Sequence, residues 1–341
     1  MWTRELLAVA EAVVGDAERV FRSSIGAEPI IAKGAGDFAT ETDMKIEQRV
    51  RETLAERTGL PVFGEEGGGS LDEDTLWVVD PVDGTSNFSA GNPMCSTIVS
   101  LLHYGTPVVG VISLPMLGKR LTAVHGSPLY VNGVAQKTLE ESSPLVAQVG
   151  FGSIVSAVDS RFPTMRRQAL MRMLADLYPR LRVTGSVGVD LAFTALGTFG
   201  GSISFSPHVW DNAAGVLLVR SAGGVATDLD GNTWGPRSHG VIAGTPLEIL
   251  PKLRDGAYDI VFINGDKLEY VEYVAAALRL LRSGGLLILH DVLWYNTVAN
   301  PSREGDETII IREALDAVQA AESYTTTLLT VGNGLLVAVK N

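Results

Sequence analysis

The spacing of apolar residues predicts helices and strands along the whole chain. Over 3–24 and 42–57, apolar residues recur every three or four positions, as on the buried side of an amphipathic helix. Shorter apolar stretches bounded by glycine, proline and asparagine predict strands. We place strands at 60–64, 76–80, 96–102, 107–114, 119–125, 128–131, 145–151, 200–205, 223–227 and 240–243, and further helices at 164–177, at 188–197 and from Asp211. This mixture is typical of a layered α/β fold.

The pattern changes after about residue 246. We predict a strand at 258–263, a helix at 268–282, a turn at Ser283-Gly284-Gly285, a strand at 286–290, a polar loop at 295–306, a helix at 307–322 and a hairpin of 325–331 with 335–340. This order describes an alternating α/β unit that ends in an antiparallel pair. Because 341 residues suffice for about two domains, we divide the chain into domains 1–246 and 247–341.

Composition and charge argue against several classes of function. The chain carries 27 basic and 39 acidic residues, a net charge of −12, whereas sequence-independent binding to nucleic acid needs a basic surface. The single cysteine, Cys95, excludes an internal disulfide and a zinc cluster made of cysteines. The chain has no apolar run near the ~18 residues of a membrane span and no signal-peptide pattern, so we expect a cytoplasmic protein without a membrane partner.

Oxygen ligands are concentrated where one apolar strand ends. Asp80 ends that strand and Asp83 follows three residues later, with the carbonyl of Val82 between them. Carboxylate and carbonyl oxygens are the ligands that Mg²⁺ prefers. Gly84 and Thr85 follow at a predicted helix start, where backbone N–H groups can bind an anion. The hydroxyl of Thr85 is also suited to orienting a water molecule.

Four more acidic residues are candidates for the same site. Glu65 and Glu66 follow another strand, Asp211 precedes an apolar helix, and Asp43 follows a threonine. Each has a simpler interpretation alone, because an aspartate before a helix is most often a cap and acids beside glycines are often a solvated loop. Brought together, these carboxylates would hold two or three divalent ions that lower the pKa of bound water and stabilise a leaving oxygen.

These motifs, in this order and spacing, resemble the inositol monophosphatase family over about residues 1–250. The residues that carry the resemblance are Gly64-Glu65-Glu66, Asp80-Pro81-Val82-Asp83-Gly84-Thr85-Ser86-Asn87-Phe88, Trp210-Asp211-Asn212-Ala213-Ala214-Gly215 and Ala222-Gly223-Gly224. The resemblance implies an αβαβα sandwich that hydrolyses small phosphate monoesters with Mg²⁺ and is inhibited by lithium. It therefore implies a phosphoric monoester hydrolase that acts on a small phosphorylated metabolite.

The resemblance also implies a role for individual residues. The metal ligands would be Glu65, Asp80, the Val82 carbonyl, Asp83 as the bridge between two ions, and Asp211. Thr85 and Asp43 would position the attacking water, with support from Glu66. Gly84, Thr85 and Lys33 would bind the phosphate. Gly185 and Ser186 would bind the rest of the substrate. Ser204 stands where typical inositol phosphatases carry a glutamate that contacts the substrate. Inositol phosphate, histidinol phosphate and nucleotide 3′-phosphates therefore all stay open as substrates.

Residues 247–341 resemble the C-terminal half of a catechol-type O-methyltransferase. The match rests on Gly256-Ala257-Tyr258-Asp259-Ile260-Val261-Phe262-Ile263-Asn264-Gly265-Asp266-Lys267, Leu280-Leu281-Arg282-Ser283-Gly284-Gly285-Leu286-Leu287 and Val331-Gly332-Asn333-Gly334-Leu335-Leu336-Val337-Ala338-Val339-Lys340. The resemblance implies a partial Rossmann-like half-sheet without the half that binds S-adenosylmethionine. Asn264 and His290-Asp291 also replace the family's metal ligands, so we expect neither S-adenosylmethionine binding nor methyl transfer.

Two other interpretations of this C-terminal segment remain at this stage. One alternative is an O-methyltransferase, which would need a cofactor site that the sequence does not show. The other is a non-catalytic fusion or a recombination relic. The strand 258–263 would lie at an open sheet edge, and such edges tend to pair with another strand. That edge predicts docking on the phosphatase sheet or a homodimer.

Overall fold

A computed structural model describes residues 2–34, 37–139, 148–156, 160–178, 180–244, 255–265 and 267–341. The chain forms two compact units, Met1–Thr245 and Pro246–Asn341. The domain boundary predicted at 246 falls within 245–254, which lies outside the described residues. Within the described ranges, no helix has the length and apolar character that crossing a membrane requires.

Six helices are described in the first unit. They are α1 (Trp2–Ser24), α2 (Glu41–Thr58), α3 (Thr85–Ser89), α4 (Thr164–Leu177), α5 (Val187–Ala195) and α6 (Val209–Ser221). The periodicity predicted α1, α2 and α4 closely, since long amphipathic patterns are the clearest signal for helices. The start of α6 differs from the prediction, because His208 is the N-cap and Asp211 lies in the first turn of the helix.

The first unit contains three described sheets. Its strands are β1 (Pro29–Gly34), β2 (Asp37–Thr40), β3 (Val62–Gly64), β4 (Thr75–Asp83), β5 (Ser96–His103), β6 (Thr106–Leu114), β7 (Lys119–Val124), β8 (Tyr130–Val131), β9 (Val134–Ala135), β10 (Val149–Phe151), β11 (Leu181–Arg182), β12 (Gly201–Ser204), β13 (Val225–Thr227) and β14 (Val241–Gly244). Strands β3 to β9 form a seven-stranded sheet in chain order, β11-β10-β12-β14-β13 form a five-stranded sheet, and β1 pairs with β2. Of the strand predicted at 145–151, positions 145–147 lie outside the described residues.

Strand β4 shows how the layers are packed. Trp77 and Val79 lie in the hydrophobic core beneath α1 and α2, while Leu76 and Val78 lie in the core that contains α5, α6 and the five-stranded sheet. Successive side chains of a strand point to opposite faces, so β4 is buried on both sides, and its residues 76–79 are all apolar. The αβαβα sandwich expected from the resemblance is confirmed.

A β-bulge near the end of β4 determines where its carboxylates point. Asp80 pairs with Ile98 on β5, but Asp83 pairs with Ser96, so three steps on β4 match two on its partner. In a regular strand, residues three apart would point to opposite faces. The extra residue turns Asp80 and Asp83 to the same side, and Pro81 occupies the irregular stretch, where proline is tolerated.

The second unit is a four-stranded sheet with two described α-helices. Its elements are β15 (Tyr258–Ile263), α7 (Tyr270–Leu280), β16 (Leu281–His290), α8 (Asp306–Ala320), β17 (Tyr324–Leu329) and β18 (Leu335–Lys340). The strand order is β15-β16-β18-β17, with β15 and β16 parallel and the other pairs antiparallel. Its hydrophobic core lies between one face of the sheet and the helices α7 and α8. The predicted half-sheet is confirmed.

Two features of this second sheet bear on the sequence predictions. Strand β15 is an edge strand, as predicted, and Ile260 and Phe262 on it are 57% and 56% exposed. The turn predicted at Ser283-Gly284-Gly285 was wrong, because β16 already begins at Leu281. The glycines instead lie where the register with β15 shifts, and the positive φ of Gly284 (77°) accommodates that irregularity within the strand.

Candidate active site

Four carboxylates lie near one another where β4 ends. Burial raises the pKa of Asp80 well above its usual value, and the negative charges of Glu65, Asp83 and Asp211 raise it further. Asp80 also hydrogen-bonds with Glu65 and with Asp211. Burial, followed by the charge of Asp83, raises the pKa of Asp211 to about 8. Asp80 and Asp211 are thus each influenced by the other three carboxylates, and the ionised cluster is unfavourable until a cation offsets its charge.

Asp83 faces the start of helix α5 as well as this cluster. Its carboxylate accepts hydrogen bonds from the hydroxyls of Ser186 and Ser96, the latter at 2.7 Å, and from the backbone N–H groups of Val187 and Gly188 at 3.0 and 2.9 Å. Among the residues described, no three His, Cys, Asp or Glu side chains converge at the spacing of a bound metal ion. The donor set nevertheless fits magnesium rather than a soft metal, since it consists entirely of oxygens.

A hydroxyl–carboxylate pair lies beside the cluster. The hydroxyl of Thr85 is 3.0 Å from the Val82 carbonyl and 3.3 Å from Oδ1 of Asp43, which is completely buried. The other oxygen of Asp43 accepts the backbone N–H of Thr40 at 2.9 Å and the Thr40 hydroxyl, which closes a capping box at the start of α2. The two residues predicted to position water are thus in contact.

Gly84 makes possible the close approach of the β4–α3 junction to Ser186 and Met94. Its φ of 81° is in the left-handed region, and a Cβ there would lie 3.1 Å from the Ser186 Cβ and 3.2 Å from the Met94 carbonyl oxygen. Only glycine meets both conditions at low cost. Gly84 therefore lets α3 begin directly after β4, and it places the predicted substrate residues Gly185 and Ser186 beside the carboxylates.

Two predicted residues lie less centrally. Lys33 belongs to β1, and its side chain lies outside the described part of the chain. The backbone N–H of Glu66 donates to Glu47 Oε2 at 2.7 Å, and the next N–H, of Gly67, donates to Oε1 at 2.6 Å. Glu47 is buried and also pairs with Arg51 at 2.9 Å, so it anchors the loop that carries Glu65. The sequence analysis missed Glu47, although its four-residue spacing from Arg51 on a predicted helix was a signal.

The carboxylates line a cavity of about 1080 Å³. Its wall also includes four aromatic and four basic side chains: Phe38, Phe162, Phe205, Trp210, Arg161, Arg167, His208 and His239. Asp190 also lines the cavity; burial raises its pKa to about 7, and it accepts a hydrogen bond from the Thr184 hydroxyl at 2.7 Å. The sequence analysis did not single out Asp190, because it lies within an apolar helix and in no recognised motif.

Comparisons with known proteins agree with this geometry. The model of the inositol monophosphatase family matches residues 2–259, and the O-methyltransferase model matches residues 237–341. A probable inositol 1-monophosphatase, ImpA, from Mycobacterium tuberculosis is 44% identical over 252 residues, covering 72% of this chain and 93% of the relative. A histidinol-phosphatase from the same organism is 34% identical over 263 residues, covering 73% and 98%.

A solved structure agrees in fold. The extragenic suppressor protein SuhB from Bartonella henselae superposes with a TM-score of 0.65 at 25% identity, covering 72% of this chain and 94% of that structure. The family model spans well over half of the chain, and it contains every residue of the carboxylate cluster. The chain therefore belongs to the inositol monophosphatase family, as a phosphatase whose C-terminal segment is similar to an O-methyltransferase.

Proposed function

We propose that this chain hydrolyses a small phosphate monoester of the inositol monophosphate type, with Mg²⁺ in the carboxylate cluster. The observation that carries the proposal is the set of buried oxygen ligands around Asp80, next to the contact between Thr85 and Asp43. Carboxylates so close together are costly without a cation, so their burial is best understood as a metal site. We keep the division into a phosphatase domain, 1–246, and an O-methyltransferase-like segment, 247–341, as part of this proposal.

The proposed metal ligands are Glu65, Asp80, the Val82 carbonyl, Asp83 and Asp211, which together would hold two or three ions. The role of Asp83 as the bridge between two ions stays a prediction from the family resemblance. When bound, such ions lower the pKa of water and stabilise the leaving oxygen. Inhibition by lithium stays a prediction from the family resemblance.

The remaining residues would orient the reactants. In this proposal the Thr85 hydroxyl, oriented by Asp43, holds the attacking water in line with the phosphorus atom. The backbone N–H groups of Gly84 and Thr85, with Lys33, hold the phosphate oxygens, and Gly185 and Ser186 border the rest of the substrate. Glu66 would support the metal ligand Glu65 through the loop that Glu47 anchors.

Phosphate release tests this function directly. Purified full-length protein would be assayed on inositol 1-phosphate, histidinol phosphate and a nucleotide 3′-phosphate, with and without Mg²⁺. We expect Mg²⁺-dependent release and rank inositol phosphate first, since the relative named for it is the more similar of the two compared. Ser204, which stands in place of a glutamate, keeps the other two esters in the panel. No release from any ester with Mg²⁺ present would reject the proposal.

Stabilisation by Mg²⁺ should depend strongly on pH. The pKa of Asp211 is about 8 in the fold against an ordinary 3.8, and that of Asp80 is also raised. Folding therefore favours the protonated groups, so the metal-free protein loses stability as pH rises from about 4 towards about 8. Because Mg²⁺ binds the ionised groups, the increase in the protein's Tm that Mg²⁺ causes should be larger near pH 8.5 than near pH 6. Thermal melts with Mg²⁺ or with EDTA measure this, and equal increases at both pH values would contradict it.

The C-terminal segment should not bind S-adenosylmethionine. The described part of the second unit has four strands with β15 at the edge, and Asn264 hydrogen-bonds His290 at 2.9 Å where the family resemblance calls for metal ligands. Calorimetric titration of the full chain with S-adenosylmethionine should give no binding heat, with Mg²⁺ as the positive control. A measured heat of binding would restore the methyltransferase interpretation. The homodimer and the cytoplasmic location remain predictions.

A further inference from the structure

Arg167 is a buried cation beside the cavity and is bonded to neutral oxygens. It lies on α4 with only 5% of its surface exposed. Its Nε donates to the Phe162 carbonyl at 2.7 Å, and its Nη1 donates to the carbonyls of Ser153 and Val155 at 2.8 and 3.2 Å. Its Nη2 donates to the Ser160 hydroxyl at 3.0 Å. A single guanidinium thus contacts four oxygen atoms of one segment.

These acceptors lie at both ends of the segment 153–162, of which 157–159 are outside the described residues. The backbone N–H of Ser156 also donates to the Thr164 hydroxyl, and the Thr164 N–H to the Ser156 hydroxyl, each at 3.0 Å. The Arg167 guanidinium lies 4.7 Å from the centre of the Phe205 ring. Arg167 therefore joins the two ends of the segment to α4.

The joined segment forms part of the cavity wall. Ser153, Ile154 and Val155 from its first end line the cavity, as do Ser160, Arg161 and Phe162 from its second end. The carboxylates line the same cavity, and the four hydrogen bonds of Arg167 described above do not go to them. A substrate held at the carboxylates would therefore share this cavity with residues 153–155 and 160–162.

Burying a guanidinium among neutral acceptors has a cost in free energy. Desolvation lowers the pKa of Arg167, which records that cost. The cost is offset because the planar guanidinium of Arg167 presents N–H donors in several fixed directions at once. A lysine ammonium has three donors on one atom and cannot reach carbonyls at both ends of the segment. A residue that served only to fill space here would be an apolar one.

We propose that Arg167 is a positioning residue that holds residues 153–156 and 160–162 as the wall for the leaving group, and thereby sets KM and the preference among phosphate monoesters. This inference rests on the proposed phosphatase function. It assigns Arg167 no part in the chemistry at phosphorus, since its bonds all go to the wall. Its effect should therefore grow with the size of the leaving group.

Arg167→Lys tests this role, with Arg166→Lys as the matched control, because Arg166 is exposed on the same helix. For inositol 1-phosphate we expect Arg167→Lys to raise KM about tenfold or more and to change kcat less than about threefold. For glycerol 2-phosphate, whose leaving group is smaller, the rise in KM should be clearly less. Arg166→Lys should leave both constants unchanged.

Proteolysis gives a readout that needs no activity. Trypsin should cleave after the exposed Arg161 faster in Arg167→Lys than in wild type or Arg166→Lys, because the flanking residues are no longer held. If Arg167→Lys fails to fold, Thr164→Val removes the bonds that the Thr164 hydroxyl makes with Ser156 and should give a smaller change in the same direction. Unchanged KM and cleavage, or a fall in kcat at constant KM, would overturn the inference. Absence of activity in the wild type would reject the proposed function instead, and the cleavage comparison would still test Arg167.

Discussion

Asp80→Asn is expected to lower kcat/KM for phosphate release by more than about 10³-fold at saturating Mg²⁺. The charges of Glu65, Asp83 and Asp211 all act on Asp80, so its loss removes a ligand from the middle of the proposed ligand set in the sequence. The same change should stabilise the metal-free protein at alkaline pH, because Asp80 would otherwise have to ionise beside three other carboxylates. Asparagine keeps an oxygen for the Val82 N–H, which Asp80 binds at 3.1 Å.

The combination of lost activity and raised stability is the decisive measurement. Malachite-green assays with Mg²⁺ would follow phosphate release, and thermal melts in EDTA would follow stability. Asp72→Asn serves as the control, since Asp72 is exposed and pairs only with exposed Arg237 at 2.9 Å in the described structure; both readouts should match wild type. Near-normal turnover in Asp80→Asn, or a lowered Tm in EDTA at alkaline pH, would refute the proposed role of Asp80.

Thr85→Val and Asp43→Asn are each expected to lower kcat by about 10²- to 10⁴-fold, the range for groups that position or deprotonate a nucleophile. The Thr85 hydroxyl and Asp43 Oδ1 are 3.3 Å apart, and Val82 O is the other acceptor within reach of that hydroxyl. Since the two groups would orient one water together, the double variant should be little worse than the poorer single variant.

Stability separates the two substitutions. Asp43→Asn weakens the capping box of α2 and should cost about 1 kcal/mol of unfolding free energy, whereas Thr85→Val leaves that cap in place. Urea titrations of the metal-free proteins would measure the difference. If the losses in kcat multiplied in the double variant, Thr85 and Asp43 would act independently and the proposed pair would be wrong.

The strongest sequence signals were local. The apolar run before Asp80 predicted a buried strand, and alternation on β4 between two cores explains why that run is continuous. The motif Asp83-Gly84-Thr85 predicted a strand followed by a helix start, which the structure contains. The buried strand and the strand-to-helix junction each depend on residues within a few positions of one another, so the local sequence predicts them.

Contacts between distant segments could not be predicted in this way. Nothing near Asp83 indicates that Ser186, 103 residues later, donates to its carboxylate. The contacts of Arg167 and Glu47 with the loops beside them were missed because most of their partners there are backbone groups, which residue type does not reveal. The strand β16 was predicted to begin too late for a related reason: the pairing with β15 outweighs the turn preference of two glycines.

The two oxygens of Asp43 have different partners, and this links the chemistry to the end of a helix. Oδ2 accepts hydrogen bonds from Thr40 at the start of α2, while Oδ1 accepts one from the Thr85 hydroxyl. Helix ends fray more readily than packed strands open. Each time the first turn of α2 frays, Thr85 loses its oriented partner even though the core is intact. Assembly of the pair therefore requires that this one capped and buried helical turn stays ordered, in addition to a folded domain.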